Sequence, residues 1–497
     1  MLIGILGGAG IIGTRHPHKK VDMAHHVIAW PAPAGETASP DYTMTVDGTP
    51  VFVYQARVRA EILQHAGLWT HLVDPAGERA SFAIFDQTAP VTITIHPTRH
   101  FSSAKILPIG AGITPEIVDG AIRITLPQPR HLTLTLDDSD VRPLHLFISA
   151  PERDIPSPHD PHVVYFGPGI HELDTLRVRN GQTVYLAGGA VVRAKLAPDA
   201  KGEYSEQWKV TFHNGAVFDL SDTSNVRICG RGILDAALVP HPGYTMLNIT
   251  RAHNIVVEGI VLRDAANWNV IINHSYDVRV NNLRLISGRL NSDGINSVNS
   301  QRVQIRNCFV RNHDDSIAVK TTEPGLAAED IDVEGCTIWN DWGYALGVTY
   351  ETRAPIHRVR YHNCAIIFGR HWYLGVHVSD SALISDIAFT GIEIDELAHA
   401  TRSMGAYAAL AGAPQLLHMN ITEDCWGHDH ERGHIAQITL DGLAIYAPSF
   451  PASEINGFDP EHAIRNVVIR DVRWNGRPAP AGLKISHNAA VYGLQLE

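Results

Sequence analysis

The sequence has few cysteines, no long apolar run and no excess of basic residues. Its 497 residues include five cysteines, too few and odd in number for a disulfide framework. No apolar run reaches the roughly 18 residues that a membrane-spanning helix requires. The formal net charge of −12 disfavours binding to nucleic acid or to an anionic membrane surface, because both bind basic patches. We therefore expect neither nucleic acid nor a membrane as a partner.

The length and composition predict a folded chain with more than one core. Hydrophobic residues make up 44% of the sequence and charged residues 19%, as in ordinary globular proteins. A chain of 497 residues exceeds what one core usually holds. The segment 1–26 has no basic residue ahead of its apolar run, so it makes a poor secretory signal, and we interpret it as a flexible leader. A cytoplasmic and a secreted location both stay open, and so does the oligomeric state.

Residues 27–155 have the pattern of an antiparallel β-sandwich. Apolar and polar residues alternate on both sides of Asp47 and Gly48, a pair that favours a tight hairpin because both turn positions need positive φ. The alternation recurs at 91–95, 121–126, 131–136 and 144–149. The proline-rich segment 151–162 is typical of a linker. We predict a sandwich over 27–155 and a second domain over 156–497.

The second domain repeats a unit of strand, corner and strand every 23 to 29 residues. The apolar position that opens the unit is occupied by Val226, Ile255, Val278, Val303, Ile331, Val359 and Ile387. A Gly or Asn follows four positions later, which suits a bend with positive φ, and the next apolar position begins with Ile233 in the first unit. Units this short, with no helix between the strands, predict an all-β fold, a right-handed parallel β-helix whose coils stack about 4.8 Å apart. The rhythm breaks over about 395–435, where we predict an inserted loop.

Three cysteines fall at one position of the repeat, just after the corner. They are Cys308, Cys336 and Cys364. Apolar residues occupy the same position in other units, so we predict a buried ladder of small side chains and neither a metal site nor a catalytic one.

Three aspartates stand at equivalent points of two neighbouring coils. Asp293 follows the short strand of one coil, and Asp314 and Asp315 follow the same strand of the next. Carboxylates this close repel one another, which raises the pKa of one of them and places a proton donor beside a base. Hydrolysis of a glycosidic bond requires that pair of roles. A Ca²⁺ site with lyase chemistry, or a solvated turn with no chemistry, would also fit the spacing.

Two motifs carry a resemblance to known families. Asn-Ser-Asp-Gly at 291–294 followed by His-Asp-Asp at 313–315 resembles the aspartate motifs of the polygalacturonases, glycoside hydrolase family 28. A β-sandwich ahead of the helix also resembles the dextranase and isopullulanase family 49, which shares the three-aspartate arrangement. The resemblance implies an inverting hydrolase without cofactor or metal, in which Asp314 protonates the leaving oxygen while Asp293 and Asp315 activate water. Inversion would place the carboxyl groups about 6.5 to 9.5 Å apart.

The sequence departs from family 28 at two places that affect the substrate. Gly-Tyr-Ala at 343–345 stands where a polygalacturonase has Gly-His-Gly, and His-Val-Ser at 377–379 aligns with the Arg-Ile-Lys that holds the galacturonate carboxylate. Without those cations we expect a carbohydrate substrate that is a non-uronic polysaccharide, oligosaccharide or glycoside. Its rings would stack on aromatic side chains beside a few polar groups. The candidate substrate-binding residues are Trp268, Asn291, His313, Lys320, Trp342, Tyr344, Glu351, His371, Trp372 and His377.

Three other functions stay open at this stage. A polygalacturonase-type pectin hydrolase would use the same aspartates on a uronide. A β-helix polysaccharide lyase would need a uronate, Ca²⁺ and a basic catalytic residue. A carbohydrate-binding or adhesive solenoid would have no activity at all.

Overall fold

The computed structural model describes residues 26–58, 79–197, 200–206, 210–398 and 413–497. The predicted leader lies outside the described residues except for its last one. Helical structure in the described ranges comprises the 3₁₀ turns Ile109–Ala111 and Ala481–Lys484. Within those ranges, no helix has the length and apolar character to cross a membrane.

Two packed sheets form the N-terminal sandwich. One sheet contains the strands Val27–Ala29, Val53–Arg57, Arg79–Gln87, Ala104–Leu107, His131–Leu136 and Leu144–Ser149. The other contains Tyr42–Val46, Thr49–Val51, Val91–Pro97, Glu116–Val118 and Ala121–Leu126. Asp47 and Gly48 connect a hairpin with φ of 46° and 79°, which confirms the predicted turn. The alternating residues of both sheets enclose one apolar core.

The rest of the chain winds into a parallel β-helix, as the repeat predicts. Each complete coil has a long strand, a short strand after the corner, and a third strand on the opposite wall. The long and short strands, with their partners at the two ends, are Val163–Phe166, Gly169–Leu173, Thr183–Leu186, Ala190–Ala194, Ser224–Gly230, Ile233–Asp235, His253–Glu258, Val261–Arg263, Tyr276–Asn281, Arg284–Ile286, Gln301–Arg306, Phe309–Asn312, Ala328–Glu334, Thr337–Asn340, Ile356–His362, Ala365–Gly369, Leu383–Thr390, Glu393–Asp395, His434–Tyr446, Ile464–Trp474, Arg477–Pro478 and Val491–Leu496. The third strands are Leu176–Arg177, Ala216–Asp219, Thr245–Thr250, Val270–Asn273, Ile295–Val298, Ile317–Thr321, Tyr344–Thr352, Trp372–Val378, Gln415–Ile421, Ala452–Asn456 and Ile485–His487. A separate hairpin joins Glu203–Ser205 to Val210–Phe212.

The register of the coils agrees with the sequence alignment. Val226, Ile255 and Val278 are consecutive partners, and the ladder continues in the predicted order to Ile387. The corner residues have positive φ, for example 52° at Asn307. One position of the alignment is wrong: Leu234, not Ile233, pairs with Leu262. The corner of that coil is one residue longer, which shifts the residues after it.

The cysteine ladder lies in the interior, as predicted. Cys308, Cys336 and Cys364 are unpaired by disulfides and at most 1% exposed. Each thiol lies against backbone carbonyls of its own coil and the preceding one. These cysteines therefore fill the core of the solenoid.

The predicted insertion at 395–435 contains a regular strand. Gln415–Ile421 pairs in parallel with Trp372–Val378, so this part of the segment continues the solenoid. The additional residues lie on either side of that strand. Those at 422–433 form a loop beside the third-strand wall, and 399–412 lie outside the described residues.

The sandwich packs on the short-strand wall of the solenoid. Tyr54, Phe82 and Phe147 from the sandwich form one apolar cluster with Phe309 and Trp339 from the helix. The turns between the short and third strands lie at the border of this contact. The candidate site is built on those turns.

Candidate functional site

The three aspartates lie in two stacked turns. Asp293 precedes the third strand Ile295–Val298, and Asp314 and Asp315 precede the next one, Ile317–Thr321. The two strands pair with Ile295 opposite Ile317, which places one turn directly above the other. One carboxyl oxygen of each aspartate lies within 4.8 Å of the others. The stacking thus brings together side chains that are 21 positions apart in the sequence.

Asparagine side chains hold the turn that carries the aspartate pair. Asn312 Nδ2 donates to the carbonyls of Asp314 and Asp315 at 2.8 and 2.9 Å. Asn340, from the next coil, donates to the Asp314 carbonyl at 2.7 Å. These bonds satisfy carbonyls that a tight turn would otherwise bury without partners. In the turn below, Gly294 is required because a Cβ there would lie 2.2 Å from the Ser316 carbonyl oxygen.

Burial and mutual repulsion keep protons on the triad. Asp293 is 2% exposed; its Oδ2 accepts from Asn296 Nδ2 at 2.9 Å, while its Oδ1 has no hydrogen-bond partner among the residues that the structure describes. Burial, with repulsion from Asp314, raises the pKa of Asp293 well above its ordinary value. Burial, with repulsion from Asp315, raises the pKa of Asp314 to about 7. Asp314 is the partly exposed member of the three, so its carboxyl group is accessible to solvent.

Asp315 is the most strongly paired of the three. Its Oδ2 accepts from Lys320 Nζ at 3.1 Å, and its Oδ1 accepts from the Tyr344 backbone amide at 3.0 Å. Lys320 is 3% exposed and donates at 3.1 Å to Glu351 as well. Its ammonium also lies 5.7 Å from the centre of the Trp268 ring. The ammonium is therefore held between two carboxyl groups and an aromatic ring.

An aromatic stack extends from the triad along the third-strand wall. His371 stacks on Trp372 with ring centroids 3.4 Å apart, and Trp342 lies 4.9 Å from His371 on the other side. Trp342, His371 and Trp372 are partly exposed, so part of each side chain is accessible to solvent. Tyr344 stacks beneath Trp372 at 4.3 Å because the two residues are ladder partners on adjacent coils. Burial lowers the pKa of His371 to about 4, so its imidazole is neutral at pH 7.

A buried hydrogen-bond network supports that stack. The Tyr344 hydroxyl lies 3.1 Å from His377 Nδ1 and also contacts His418 Nδ1. His377 Nε2 donates to Asp424 at 2.7 Å, since the carboxylate can only accept. Burial raises the pKa of Asp424, but hydrogen bonds from His377 and Ser379 outweigh it and hold the value at about 2. The network fixes the orientation of Tyr344 and thereby the floor of the stack.

The structure divides the predicted substrate-binding residues into two groups. Those that are partly exposed are Trp268, Asn291, Trp342, Glu351, His371 and Trp372. Those that are buried are His313, Lys320, Tyr344 and His377. Asn291 accepts from Trp268 Nε1 at 3.2 Å, and the buried His313 ring lies parallel to Trp342 at 6.5 Å. The buried group contacts the triad or the aromatic stack from behind, so the exposed group is the better placed to touch a ligand.

Sequence reasoning missed Tyr350, His418 and Asp424. His418 and Asp424 fall within the predicted insertion, and the alternation in Gln415–Ile421 was the signal that a strand lies there. Tyr350 has φ of 56°, rare for a bulky residue, and lies between Lys320, 5.5 Å away, and His377, 4.6 Å away. No periodicity in the sequence predicts that conformation.

Part of the chain matches a known family by sequence. Residues 241–399, which include the triad, match the family model described as glycosyl hydrolases family 28. This match confirms the resemblance given by the two aspartate motifs. No curated protein matches the chain by sequence.

Solved structures agree with the chain in fold. Dex49A from Penicillium minioluteum is 11% identical with a TM-score of 0.56, and the match covers 95% of this chain and 96% of that one. An exopolygalacturonase from Thermotoga maritima is 14% identical over 66% of this chain and 83% of its own, with a TM-score of 0.42. An endo-xylogalacturonan hydrolase from Aspergillus tubingensis is 14% identical over 67% of this chain and 91% of its own, with a TM-score of 0.45. The likeness to Dex49A extends over the sandwich as well as the β-helix.

Proposed function

We propose that the protein is an inverting glycoside hydrolase that cleaves a neutral, non-uronic poly- or oligosaccharide. The observation that carries the proposal is the meeting of three carboxyl groups from two coils within 4.8 Å. The family 28 match over the same residues supports hydrolysis of a glycosidic bond.

Asp314 serves as the general acid. It is the partly exposed carboxyl group, and its pKa of about 7 leaves it protonated in mildly acidic solution and about half protonated at pH 7. A glycosidic oxygen seated against it receives that proton as the bond to the anomeric carbon breaks. The leaving sugar departs as a neutral alcohol.

Asp293 and Asp315 hold and activate the attacking water. A water that donates to two oxygens at about 2.8 Å each bridges oxygens roughly 4.5 Å apart. The spacing of the triad fits such a shared water, although it is shorter than the roughly 6.5 to 9.5 Å usual between the acid and base of inverting enzymes. Asp315, held by Lys320, accepts the proton that the water loses.

The surroundings of the triad favour a neutral sugar. The Lys320 ammonium is already shared by two carboxylates, so it is not available to a uronate. The His371 imidazole is neutral at pH 7. Partly exposed Trp342 and Trp372 offer flat surfaces on which the C–H faces of a sugar ring can stack. The family 28 match favours a second candidate, a pectin hydrolase of the polygalacturonase type.

One panel separates these functions. The wild-type protein and Asp314→Asn are incubated with dextran, other neutral glucans, xylan and polygalacturonate, and reducing ends are counted. We expect wild-type release from a neutral glycan and a loss of about 10²- to 10⁴-fold in kcat for the variant, the usual contribution of general acid catalysis. Release from polygalacturonate alone would support the second candidate. An unsaturated product absorbing in the ultraviolet would indicate a lyase, and binding without turnover would indicate an adhesive solenoid.

A further inference from the structure

Lys320 and Glu351 form a buried charge pair directly behind the triad. Lys320 Nζ lies 3.1 Å from Asp315 Oδ2 and 3.1 Å from Glu351 Oε2. The Lys320 side chain is 4% exposed and that of Glu351 is 15% exposed. The Lys320 ammonium is therefore engaged by two carboxylates, and one oxygen of Glu351 is engaged by the ammonium.

We propose that Lys320 and Glu351 are positioning residues that set the pH range in which the carboxyl triad works. The proposal deepens the hydrolase function and rests on it. Lys320 adds one positive charge to three carboxyl groups, so a second aspartate can ionise while the third keeps its proton. Glu351 offsets that charge in part and so limits how far the ammonium lowers the proton affinity of the triad.

The geometry gives Lys320 and Glu351 opposite effects on the pKa values of the triad. The ammonium is attractive to the ionised forms of Asp293 and Asp314, and opposite charges within about 4 to 6 Å shift a pKa by roughly one to three units. Among the ion pairs of the described residues, Glu351 contacts the ammonium and not the aspartates, so its negative charge acts on the triad with the reverse sign and less directly. In agreement with this attraction, the charge of Lys320 lowers the pKa values of Asp293 and Asp314.

Other titratable groups face the triad from the neighbouring elements. They are Tyr344, Tyr350 and His371, which interact electrostatically with Asp315, and His313, which adjoins Asp314 in the sequence; Asp424 acts on the two tyrosines. Burial lowers the pKa of His371 to about 4 and raises those of both tyrosines well above their ordinary value. Asp424 is ionised above pH 2 and is bonded to His377. The two tyrosines stay neutral throughout the range from pH 4 to 9, whereas Lys320 contacts Asp315 of the triad directly and Glu351 contacts Lys320.

The test compares pH profiles of kcat/KM on the neutral glycan that the panel identifies. Lys320→Met removes the positive charge, so both limbs of the profile should move to higher pH by about one to three units. Glu351→Gln removes the negative charge, so both limbs should move to lower pH, by about one unit. Lys320→Arg keeps the charge and should keep the limbs in place even if its rate is lower.

The control is Glu323→Gln, which removes the same charge from an exposed side chain just after the strand Ile317–Thr321. Its profile should equal that of the wild type. Limbs that stay in place in Glu351→Gln, or that move in the same direction in both variants, would overturn the proposal. If Lys320→Met does not fold, the direction in which the limbs move in Glu351→Gln is enough to support or overturn it.

A second measurement needs no substrate. Carboxyl carbon-13 titration of protein labelled at aspartate, assigned with Asp293→Asn and Asp314→Asn, reports the same shifts in the free protein. If no glycan is cleaved, the hydrolase function fails while this titration still tests the charge pair. If a glycan is cleaved and neither measurement moves, only the charge-pair proposal fails.

Discussion

Gly343 lies against the aspartate pair so closely that a Cβ would be 2.8 Å from the Asp315 amide nitrogen and 2.9 Å from the Asp314 carbonyl carbon. Its φ of 77° is also unfavourable for other residues. The glycine therefore fixes how near the next coil comes to the turn that carries Asp314, the proposed general acid.

Gly343→Ala should displace that turn and lower kcat by at least about tenfold, since misplacing a catalytic group by about 1 Å can cost roughly 10²-fold. The matched control is Gly325→Ala, which has φ of 96° and no atom within 4 Å of the added Cβ. The control should lose about 1–2 kcal/mol of stability from the left-handed backbone and keep its rate. Equal rate losses in the two variants would mean that strain, and not contact with the pair, is responsible.

Asp314→Asn should stabilise the fold in a pH-dependent way. The pKa of Asp314 is about 7 in the folded protein, and that of an aspartate in an unfolded chain is about 3.9. Between these values the folded state binds more protons than the unfolded state, so wild-type stability falls as pH rises from about 4 to about 7. The variant lacks this loss, and its Tm advantage over the wild type should grow across that interval.

Thermal unfolding measured at several pH values checks the prediction. Asp277→Asn provides the control, because Asp277 is exposed and its ion pair with Arg302 lowers its pKa. A Tm difference between Asp314→Asn and wild type that does not change with pH would contradict the raised pKa.

Trp372→Ala should weaken substrate binding more than it slows the chemical step. Trp372 is partly exposed, is stacked between His371 and Tyr344, and donates from Nε1 to Gln415. Loss of one stacking surface is worth about 1–2 kcal/mol, which raises KM roughly 5- to 30-fold with a smaller change in kcat. The control is Trp474→Ala, whose ring packs on Phe450 near the end of the solenoid. A loss confined to kcat would assign Trp372 to the catalytic step.

Chelation should leave the activity intact. The charge of Asp315 is balanced by Lys320 Nζ at 3.1 Å, so ionisation of the triad does not require a divalent cation. Wild-type rates on the best neutral glycan should be equal before and after dialysis against EDTA. A loss that added Ca²⁺ restores would favour the lyase chemistry that the carboxylate spacing also allows.

The repeat made most of the solenoid predictable. The ladder from Val226 to Ile387 follows directly from apolar spacing, because a core residue must recur once in each coil. The Gly and Asn corners follow from their tolerance of positive φ, as at Asn307 and Gly335. Ile233 was misplaced because a corner can gain one residue without changing its composition.

The aspartate positions were also predictable, but their surroundings were not. Stacking of coils implied that Asp293 and Asp314 would be neighbours. It did not imply that Lys320 would be buried between Asp315 and Glu351. Side chains on a regular strand alternate between its two faces, but the register with the next coil shifts after Val319, so alternation does not predict where Lys320 points. The hydrogen bonds of Asp424 could not be predicted, because the repeat does not determine the length of the loop that carries it.

The stereochemistry of hydrolysis tests the central claim most directly. The chain is incubated with the neutral glycan that it cleaves, and proton NMR follows the anomeric signals before mutarotation, with Asp314→Asn in parallel. We predict that the first product has the anomeric configuration opposite to that of the substrate bond, and that the variant forms little of it. A first product with retained configuration, or an undiminished rate in Asp314→Asn, would contradict a water held by Asp293 and Asp315 and an acid at Asp314.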